Sequence, residues 1–263
     1  MSRLLNISVA NKKLWISLGA IVFVSLVLSN VPAQVAASFL TKGTGLGMNG
    51  VTGSFWNGRA SLASLHVDGR DYSLGAMTWS LKPWSFLTFK PCAYVTTNLA
   101  SQKFEGTVCS GGNSLQLQDA MVDVPAVMAQ QHIPFPIEGQ LSMHFDELAL
   151  RGNVLLKMKG NLSWMGAKAN SGARWIDLGN FAVEFQDNGN NGIKAKLFDL
   201  AGPLDVDLAV ELTAPSGGQI KGTLAAPSGF ITSTGADEVL ALFSQRDADD
   251  EQGNAHYRVD FNL

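Results

Sequence analysis

The amino-acid sequence predicts a mainly β protein, in which a single N-terminal transmembrane helix precedes an antiparallel, curved β-sheet domain with one or two short helices. Three observations predict this class. One long apolar run lies near the N-terminus. Alternating apolar and polar residues recur through the rest of the chain, which is typical of strands with one buried face. The chain has 27 glycines and only 16% charged residues, a composition that favours strands joined by tight turns.

The apolar run over residues 14–33 is predicted to be the transmembrane helix. No charged residue falls between Lys13 and Lys42, and an apolar helix of about 20 residues can cross the hydrocarbon core of a bilayer. Trp15 lies near one end, where an amphipathic ring suits the headgroup level. The positions that define this membrane anchor are Leu14, Trp15, Ile16, Leu18, Ile21, Val22, Phe23, Val24, Leu26, Val27 and Leu28.

Three basic residues before the anchor, Arg3, Lys12 and Lys13, act as a topology signal. By the positive-inside rule, the tail of residues 1–13 stays in the cytoplasm and the chain beyond the helix is exported. A cleaved signal peptide is the alternative, because the small residues of Val35-Ala36-Ala37 could form a cleavage site. Both interpretations place the body of the chain outside the cytoplasm.

A tether over residues 34–47 is predicted to lead into the exported β domain, residues 48–263. Alternation within that domain is clearest in Leu141/Met143/Phe145, Phe181/Val183/Phe185, Leu204/Val206/Leu208/Val210/Leu212 and Tyr257/Val259/Phe261/Leu263. Stretches rich in glycine and asparagine separate such runs, as expected for tight turns. Short helices are predicted over 125–131, where proline suits a first-turn position, and over 235–245, where Thr234 could cap the helix.

A weak internal similarity has two interpretations, of which one is that the domain contains two similar β units, about 48–120 and 137–263. The stretch over residues 72–79 and the stretch over residues 175–182 each place an aromatic residue before Leu-Gly and an alternating run. Two strands of similar sequence within one domain are the alternative interpretation.

Cys92 and Cys109 are predicted to form a disulfide. They are equidistant from the Ala100–Ser101 bond, so a symmetric hairpin that turns there places them opposite each other, as the close approach of a disulfide requires. An exported domain also lies in an oxidising compartment, where disulfides persist. Two buried free thiols are the alternative.

The sequence contains no recognisable pattern for catalysis or for binding a metal or cofactor. The net charge of −3 argues against nucleic-acid binding. The four histidines, His66, His132, His144 and His256, lack metal-ligand spacing. A hydrolase elbow and a phosphate-binding loop are also missing, and the acidic run over 247–253 is interpreted as a solvated loop because it lacks the calcium-loop pattern. We therefore expect no catalytic, metal-binding or cofactor-binding residue and no small-molecule substrate: the protein is predicted not to be an enzyme.

The exported part contains several tryptophans, Trp56, Trp79, Trp84, Trp164 and Trp175. Large aromatic side chains dominate the packing of cores, so a core position is the default interpretation. An aromatic face that binds a partner is the alternative.

Several short motifs follow the anchor in a definite order. They are residues 50–60 (GVTGSFWNGRA), 74–81 (LGAMTWSL), 159–164 (KGNLSW), 178–179 (LG), 200–204 (LAGPL) and 257–261 (YRVDF). In their order and spacing these motifs resemble the N component of the bacterial type II secretion system. The family-motif residues are Gly53, Trp56, Gly58, Trp79, Gly160, Trp164, Leu178 and Gly179.

The resemblance implies a single-pass protein of the bacterial inner membrane, with its N-terminus in the cytoplasm and a periplasmic β domain. It implies an accessory role in the export of folded proteins, with other inner-membrane or periplasmic secretion components as partners and no cofactor. Two functions stay open. One is docking to those components through a sheet edge or an aromatic patch. The other is the handling of lipid or envelope components on a continuous apolar sheet face.

Overall fold

The structure is a computed structural model, which describes residues 7–42, 44–67, 69–133, 135–152, 154–170, 172, 174–188, 192–213 and 217–262. The chain divides into two compact units, Met1–Pro83 and Trp84–Leu263. Within each unit the described strands pair in the antiparallel sense, which confirms the predicted mainly β, antiparallel class. Curvature of the sheet and the two predicted similar units stay predictions.

The first unit begins with two helices, α1 (Ile7–Ser29) and α2 (Ala33–Thr41). A single helix over residues 14–33 was expected, and Pro32 explains the break. Val31 precedes this proline, and a residue in that position is disfavoured in a helix. Pro32 itself has an extended backbone, with ψ 149°. Helix α1 also begins within the predicted cytoplasmic tail.

The transmembrane helix predicted over residues 14–33 is not confirmed. In the part of the chain that the structure describes, no helix is both long enough and apolar enough to cross a membrane. The large apolar side chains described along α1 are exposed: Leu14, Trp15, Ile16, Leu18, Val22, Phe23, Leu26 and Val27. The structure does not describe the side chains of five further residues of this prediction, Ile21, Val24, Leu28, Lys12 and Lys13. Arg3 lies outside the described residues.

The strands of the first unit form an antiparallel sheet in the order β1-β3-β4, with β2 also paired to β3. Their bounds are β1 Leu46–Asn49, β2 Thr52–Gly53, β3 Asn57–Val67 and β4 Arg70–Leu81. Helix α2 packs against β1, β2 and β3. The stretch predicted as a tether, residues 34–47, is therefore mostly α2 and the start of β1. Ala33, Ala36 and Ala37 are buried, and their spacing places them on one face of the helix.

The second unit follows a 3₁₀ helix at Pro83–Thr88. Its strands are β5 Cys92–Leu99, β6 Gln102–Gly111, β7 Ser114–Pro125, β8 Ile137–Arg151, β9 Val154–Asn170, β10 Trp175–Asp187, β11 Gly192–Ala201, β12 Asp205–Thr213, β13 Gly218–Pro227, β14 Gln245–Arg246 and β15 Asn254–Asn262. Each strand from β5 to β12 pairs with the next one along the chain, and the order ends β13-β15-β14.

The short helices of the second unit differ in part from the prediction. The helix expected over 125–131 is a 3₁₀ helix at Ala126–His132. The helix expected over 235–245 is replaced by α3 (Ser228–Thr234) and the shorter α4 (Ala236–Leu240). Gly235 causes this division, because its left-handed backbone (φ 70°) ends α3.

The main core of the second unit lies between α3, α4 and one end of the sheet. Ile231 of α3 and Leu240 of α4 pack with Val206, Leu224 and Tyr257 of strands β12, β13 and β15. Tyr257 and Ile231 are almost fully buried. The helices therefore cover the sheet at this end, where the core residues carry their largest side chains.

The hairpin of β5 and β6 turns at Ala100, as the spacing of the cysteines predicts. Leu99 pairs with Gln102 across the turn, and Cys92 lies directly opposite Cys109. Ala100 has a positive φ of 45°, which the tight turn imposes. The two cysteines form a disulfide, so this prediction is confirmed.

Candidate functional site

One face of the sheet in the second unit carries two transverse rows of apolar residues, here called the apolar face. The strand register aligns the first row as Val122, Met143, Leu162, Val183, Leu197, Leu208, Gly222 and Val259. It aligns the second row as Ala120, Phe145, Gly160, Phe185, Ala195, Val210, Ile220 and Phe261. Each row crosses β7 to β13 and then β15, and neither contains a polar side chain.

The opposite face of the same strands is polar, because successive side chains of a strand point to opposite sides. Between the two apolar rows the register aligns Met121, His144, Asn161, Glu184, Lys196, Ala209, Lys221 and Asp260. Ion pairs cross this face, with Lys196 Nζ 3.4 Å from Asp207 Oδ1 and Lys194 Nζ 3.1 Å from Glu211 Oε1. The sheet therefore has one solvated polar face and one apolar face.

Most of the apolar face is only half-buried. The half-buried members of the two rows are Val122, Met143, Leu162, Val183, Leu197, Leu208, Phe185, Ala195, Val210 and Ile220. At the edge of the sheet Phe261 is 47% exposed. Val259 belongs to the main core, and Leu197, Leu208 and Ile220 pack against it. The members of the rows on β7 to β10, together with Val210 and Phe261, do not belong to that core.

In the first unit, the structure brings together three of the family-motif residues. Gly53 pairs with Gly58, and Gly58 pairs with Trp79. A Cβ atom on Gly58 would lie 2.1 Å from Cζ2 of Trp79. Trp79 is buried, and its Nε1 donates a hydrogen bond to the Phe55 carbonyl at 3.2 Å. Trp56 contacts the Phe55 ring edge-on. The close packing of these glycines and tryptophans therefore explains why these residue types occur at the motif positions of the first unit.

In the second unit, the remaining motif residues shape the sheet that carries the apolar face. A Cβ atom on Gly160 would lie 2.0 Å from the His144 carbonyl oxygen, so only glycine fits there. The Trp164 ring packs 6.1 Å from that of Phe181, and its Nε1 donates to the Glu138 carbonyl at 3.0 Å. Leu178 packs against the main core.

Two motifs far apart in the sequence meet at Gly179 and Gly202. A Cβ atom on Gly179 would lie 2.7 Å from the Cα of Gly202, and its φ is 102°. The pairing of β9 with β10 shifts register on both sides of Gly179. The similar Leu-Gly sequence at Gly75 also lies at a register shift, between β3 and β4, with φ 72°. Both Leu-Gly pairs therefore mark irregular points where the backbone needs a positive φ.

The acidic run over 247–253, interpreted above as a solvated loop, takes part in a polar network. Arg246 Nη2 donates to Asp249 Oδ1 at 3.0 Å. The Tyr257 hydroxyl donates a hydrogen bond to Asp237 Oδ1 at 2.7 Å. Burial is the larger cause and this hydrogen bond the smaller cause that raise the pKa of Tyr257 to about 12. The network joins α4, β14 and β15. Among the described residues no group of side chains could hold a metal ion.

Asp250 holds the loop before β15. Its carboxylate accepts hydrogen bonds from the Asn254 backbone N–H at 2.8 Å and from His256 Nε2 at 3.0 Å. The hydrogen bond from the Asn254 N–H, which has the larger effect, and that from His256 lower the pKa of Asp250 well below its usual range. These residues stabilise the loop and aim no reactive group at a cavity, so we assign them a structural role.

The alternation within strands was visible in the sequence, but the two apolar rows were not. A row forms only when neighbouring strands are in register, and register shifts such as that at Gly179 break simple counting. The rows could have been found from the sequence only by combining two quantities. These are the length of each turn, which sets the register of a hairpin, and the positions at which the apolar residues of each alternating run fall.

The type II secretion system (T2SS), protein N family model matches residues 44–251. The Type II secretion system protein N of Vibrio cholerae serotype O1 is 27% identical over 171 residues, which are 62% of this chain and 66% of the relative. That of Aeromonas hydrophila is 27% identical over 177 residues, 64% of this chain and 68% of the relative. The chain thus spans just under two thirds of the first relative. No solved structure matches it. Because the family model covers well over half of its residues, the chain belongs to the type II secretion system protein N family.

Proposed function

We propose that this protein is an accessory component of the type II secretion machinery that acts by docking to other inner-membrane or periplasmic components. Family membership supports the assignment to the machinery. The motif residues pack within each unit, and no described group of side chains is arranged to hold a metal. A protein that acts by docking requires a surface that binds its partner and does not require a side chain that takes part in a reaction.

The apolar face is the observation that carries the docking proposal. Monomeric proteins rarely leave a large continuous apolar surface open, and such a surface marks an interaction site. Burying one apolar side chain completely contributes about 1.5–3 kcal/mol. The rows are already half-buried, so each member offers less than that, but many members add together. Exposed ion pairs on the polar face contribute roughly 0–1 kcal/mol each and make it the weaker candidate.

Retention at the inner membrane, with the β units in the periplasm, is part of the same proposal. It is supported by the apolar run over residues 14–33 and by the basic residues before it. Tethering would confine the protein to one membrane and raise its effective concentration near partners in that membrane.

A pair of neighbouring residues on β12 provides a matched test. Val210 lies on the apolar face between Ala195 and Ile220. Ala209 lies on the polar face between Lys196 and Lys221, where a carboxylate finds two cations. We expect V210E to lower secretion in a strain that lacks the native copy, because it places a charge on the apolar face, and A209E to leave secretion unchanged.

The folded state of each variant is checked by circular dichroism and by the intact disulfide. Phe261, at the exposed end of the second row, provides a milder variant, F261S, which leaves the core untouched. If folded V210E and F261S both support normal secretion, the apolar face is not the docking surface.

Lipid handling is the second candidate, and the length of the rows favours it. Eight strands at about 4.8 Å spacing make each row roughly 34 Å long, long enough to accommodate an acyl chain along its whole length. Mass spectrometry of the full chain, purified in detergent, tests this candidate. Phospholipid that co-purifies with the wild type and is lost in V210E supports lipid handling. Absence of bound lipid leaves docking as the only function of the face.

A further inference from the structure

The 3₁₀ helix at Pro83–Thr88 and the residue after it expose four large apolar side chains, of which the three most exposed are here called the apolar tip. Trp84 is 80% exposed, Leu87 is 72% exposed and Phe89 is 90% exposed. None of them belongs to the main core or to the apolar face. An aromatic residue in this sequence is expected to lie in a core, so their exposure requires an explanation.

The helix is attached to the sheet by its polar side. A 3₁₀ helix has three residues per turn, so residues three apart lie on the same side. Ser85 and Thr88 form one such side, and the Ser85 hydroxyl accepts a hydrogen bond from the Cys92 backbone N–H at 2.8 Å. Trp84 and Leu87 share a different side. The helix therefore directs its polar side to β5 and presents these two apolar residues together.

The backbone that follows fixes Phe89 in its exposed position. Phe89 has a positive φ of 55°, which is uncommon for a bulky residue and costs free energy. The chain is then fastened twice, because Ser110 N–H donates to the Pro91 carbonyl at 3.0 Å and Cys92 is disulfide-bonded to Cys109. The exposure of the tip is therefore built into the fold.

Two cations, Lys90 and Arg151, accompany the apolar tip. Lys90 follows Phe89 and lies against the β6–β7 turn, where a Cβ on Gly111 would meet its Cγ at 2.9 Å. Arg151, at the end of β8, pairs with Ser114 beside the same turn. No aspartate or glutamate occurs in the stretches that build this end of the sheet, residues 84–92, 109–117 and 149–156. This end is complementary to an anionic surface.

We propose that the apolar tip inserts into the interfacial layer of a phospholipid bilayer, with Lys90 and Arg151 against anionic headgroups. Tryptophan is favoured at this depth, and leucine and phenylalanine bind the boundary between headgroups and acyl chains when cations stand beside them. The side chains of the tip are 72–90% exposed and stand beside cations, a combination that suits the interface of an anionic bilayer better than a protein pocket. The proposal uses neither the apolar face nor α1, so it goes beyond the docking function.

The test measures how well a probe at the tip is shielded in the full chain. Both native cysteines are disulfide-bonded, so L87C provides a single free thiol for a nitrobenzoxadiazole dye. L242C is the matched control, because Leu242 is 66% exposed and lies after α4, outside the tip. Each labelled protein is placed in nanodiscs of phosphatidylethanolamine, with or without phosphatidylglycerol. The rate of dye reduction by aqueous dithionite is then compared.

We expect the dye at position 87 to be reduced about tenfold more slowly than the dye at position 242 in nanodiscs that contain phosphatidylglycerol. The added change K90E/R151E should abolish most of this shielding, because each cation contributes to binding an anionic surface. Equal reduction rates at the two positions overturn the proposal. So does shielding at position 87 that occurs only in native membranes containing the other secretion components, since that result identifies a protein as the partner.

Discussion

The indole ring of Trp79 lies against the backbone of Gly58, at the point where β3 pairs with β4. A Cβ atom on Gly58 would stand 2.1 Å from Cζ2 of the ring, closer than any two such atoms can approach. The ring is buried and its Nε1 is held by the Phe55 carbonyl. The two residues therefore specify each other: glycine makes the space that tryptophan fills.

Substitution of this glycine provides the first prediction. G58A should lower the free energy of unfolding by about 1–3 kcal/mol, the usual effect of overpacking a site that cannot relax. Chemical denaturation measures the change. G229A is the control, because nothing lies within 4 Å of a Cβ added at Gly229. Adding W79F should restore part of the loss, since phenylalanine does not reach the position of Cζ2. A G58A protein as stable as the wild type contradicts this account.

The second prediction concerns the disulfide between Cys92 and Cys109. Alkylation of the native protein without reductant should label neither thiol. Replacing both cysteines with serine should lower the free energy of unfolding by about 3 kcal/mol, because a closed loop of this length restricts the unfolded chain. Two thiols labelled in the native protein would refute the bond. In the serine variant the apolar tip should also become more sensitive to proteolysis, since Cys92 anchors it.

The third prediction is a pH dependence that arises at Asp250. Hydrogen bonds from the Asn254 N–H and from His256 lower the pKa of its carboxyl in the folded state. The ionised form therefore adds stability above the unfolded pKa of about 3.9, and this contribution is lost as the pH falls through the folded pKa.

The variant D250N should accordingly have a lower melting temperature than the wild type near neutral pH, and the difference should shrink in acid, below about pH 3. D260N is the control, because Asp260 is exposed on β15, the strand that follows the loop of Asp250. Thermal unfolding followed by circular dichroism measures both. A difference between D250N and wild type that stays constant down to acid pH rules out the ionic contribution of Asp250.

The fourth prediction separates docking from catalysis. Replacing residues 1–36 with a cleavable signal should lower secretion, because the released protein loses the high local concentration that tethering gives. Overexpression should restore it by mass action. Alanine in place of any one histidine, at His66, His132, His144 or His256, should leave secretion near the wild-type level. A folded but inactive histidine variant, together with an active released domain, is the result expected of an enzyme.

The sequence predicted local features well. Alternation identified antiparallel strands because one side of each strand is apolar, and the positions of Cys92 and Cys109 identified their hairpin. Features that depend on contacts between distant segments were missed. The apolar rows depend on register across eight strands.

The errors at the helices have different causes. The single helix expected over residues 14–33 ends at Ser29, because Pro32 interrupts it. Helix α3 has few strong helix formers in its seven residues, and it owes its formation to packing of Ile231 in the core. The 3₁₀ helix at Pro83–Thr88 is held by the hydrogen bond between Ser85 and Cys92 and by the neighbouring disulfide. No pattern in the local sequence predicts these contacts.

The neighbour-to-neighbour strand order of the second unit has a consequence for how the chain folds. From β6 to β13 every strand pairs with the one before it, so each hairpin can close over a short loop as soon as both of its strands exist. A chain that emerges N-terminus first can therefore build this sheet one strand at a time. At every stage the sheet grows at one edge, where only the newest strand awaits its partner, and this limits the opportunity for aggregation. Strand β15 breaks the sequence, because it must wait for α3, α4 and β14 before it pairs with β13.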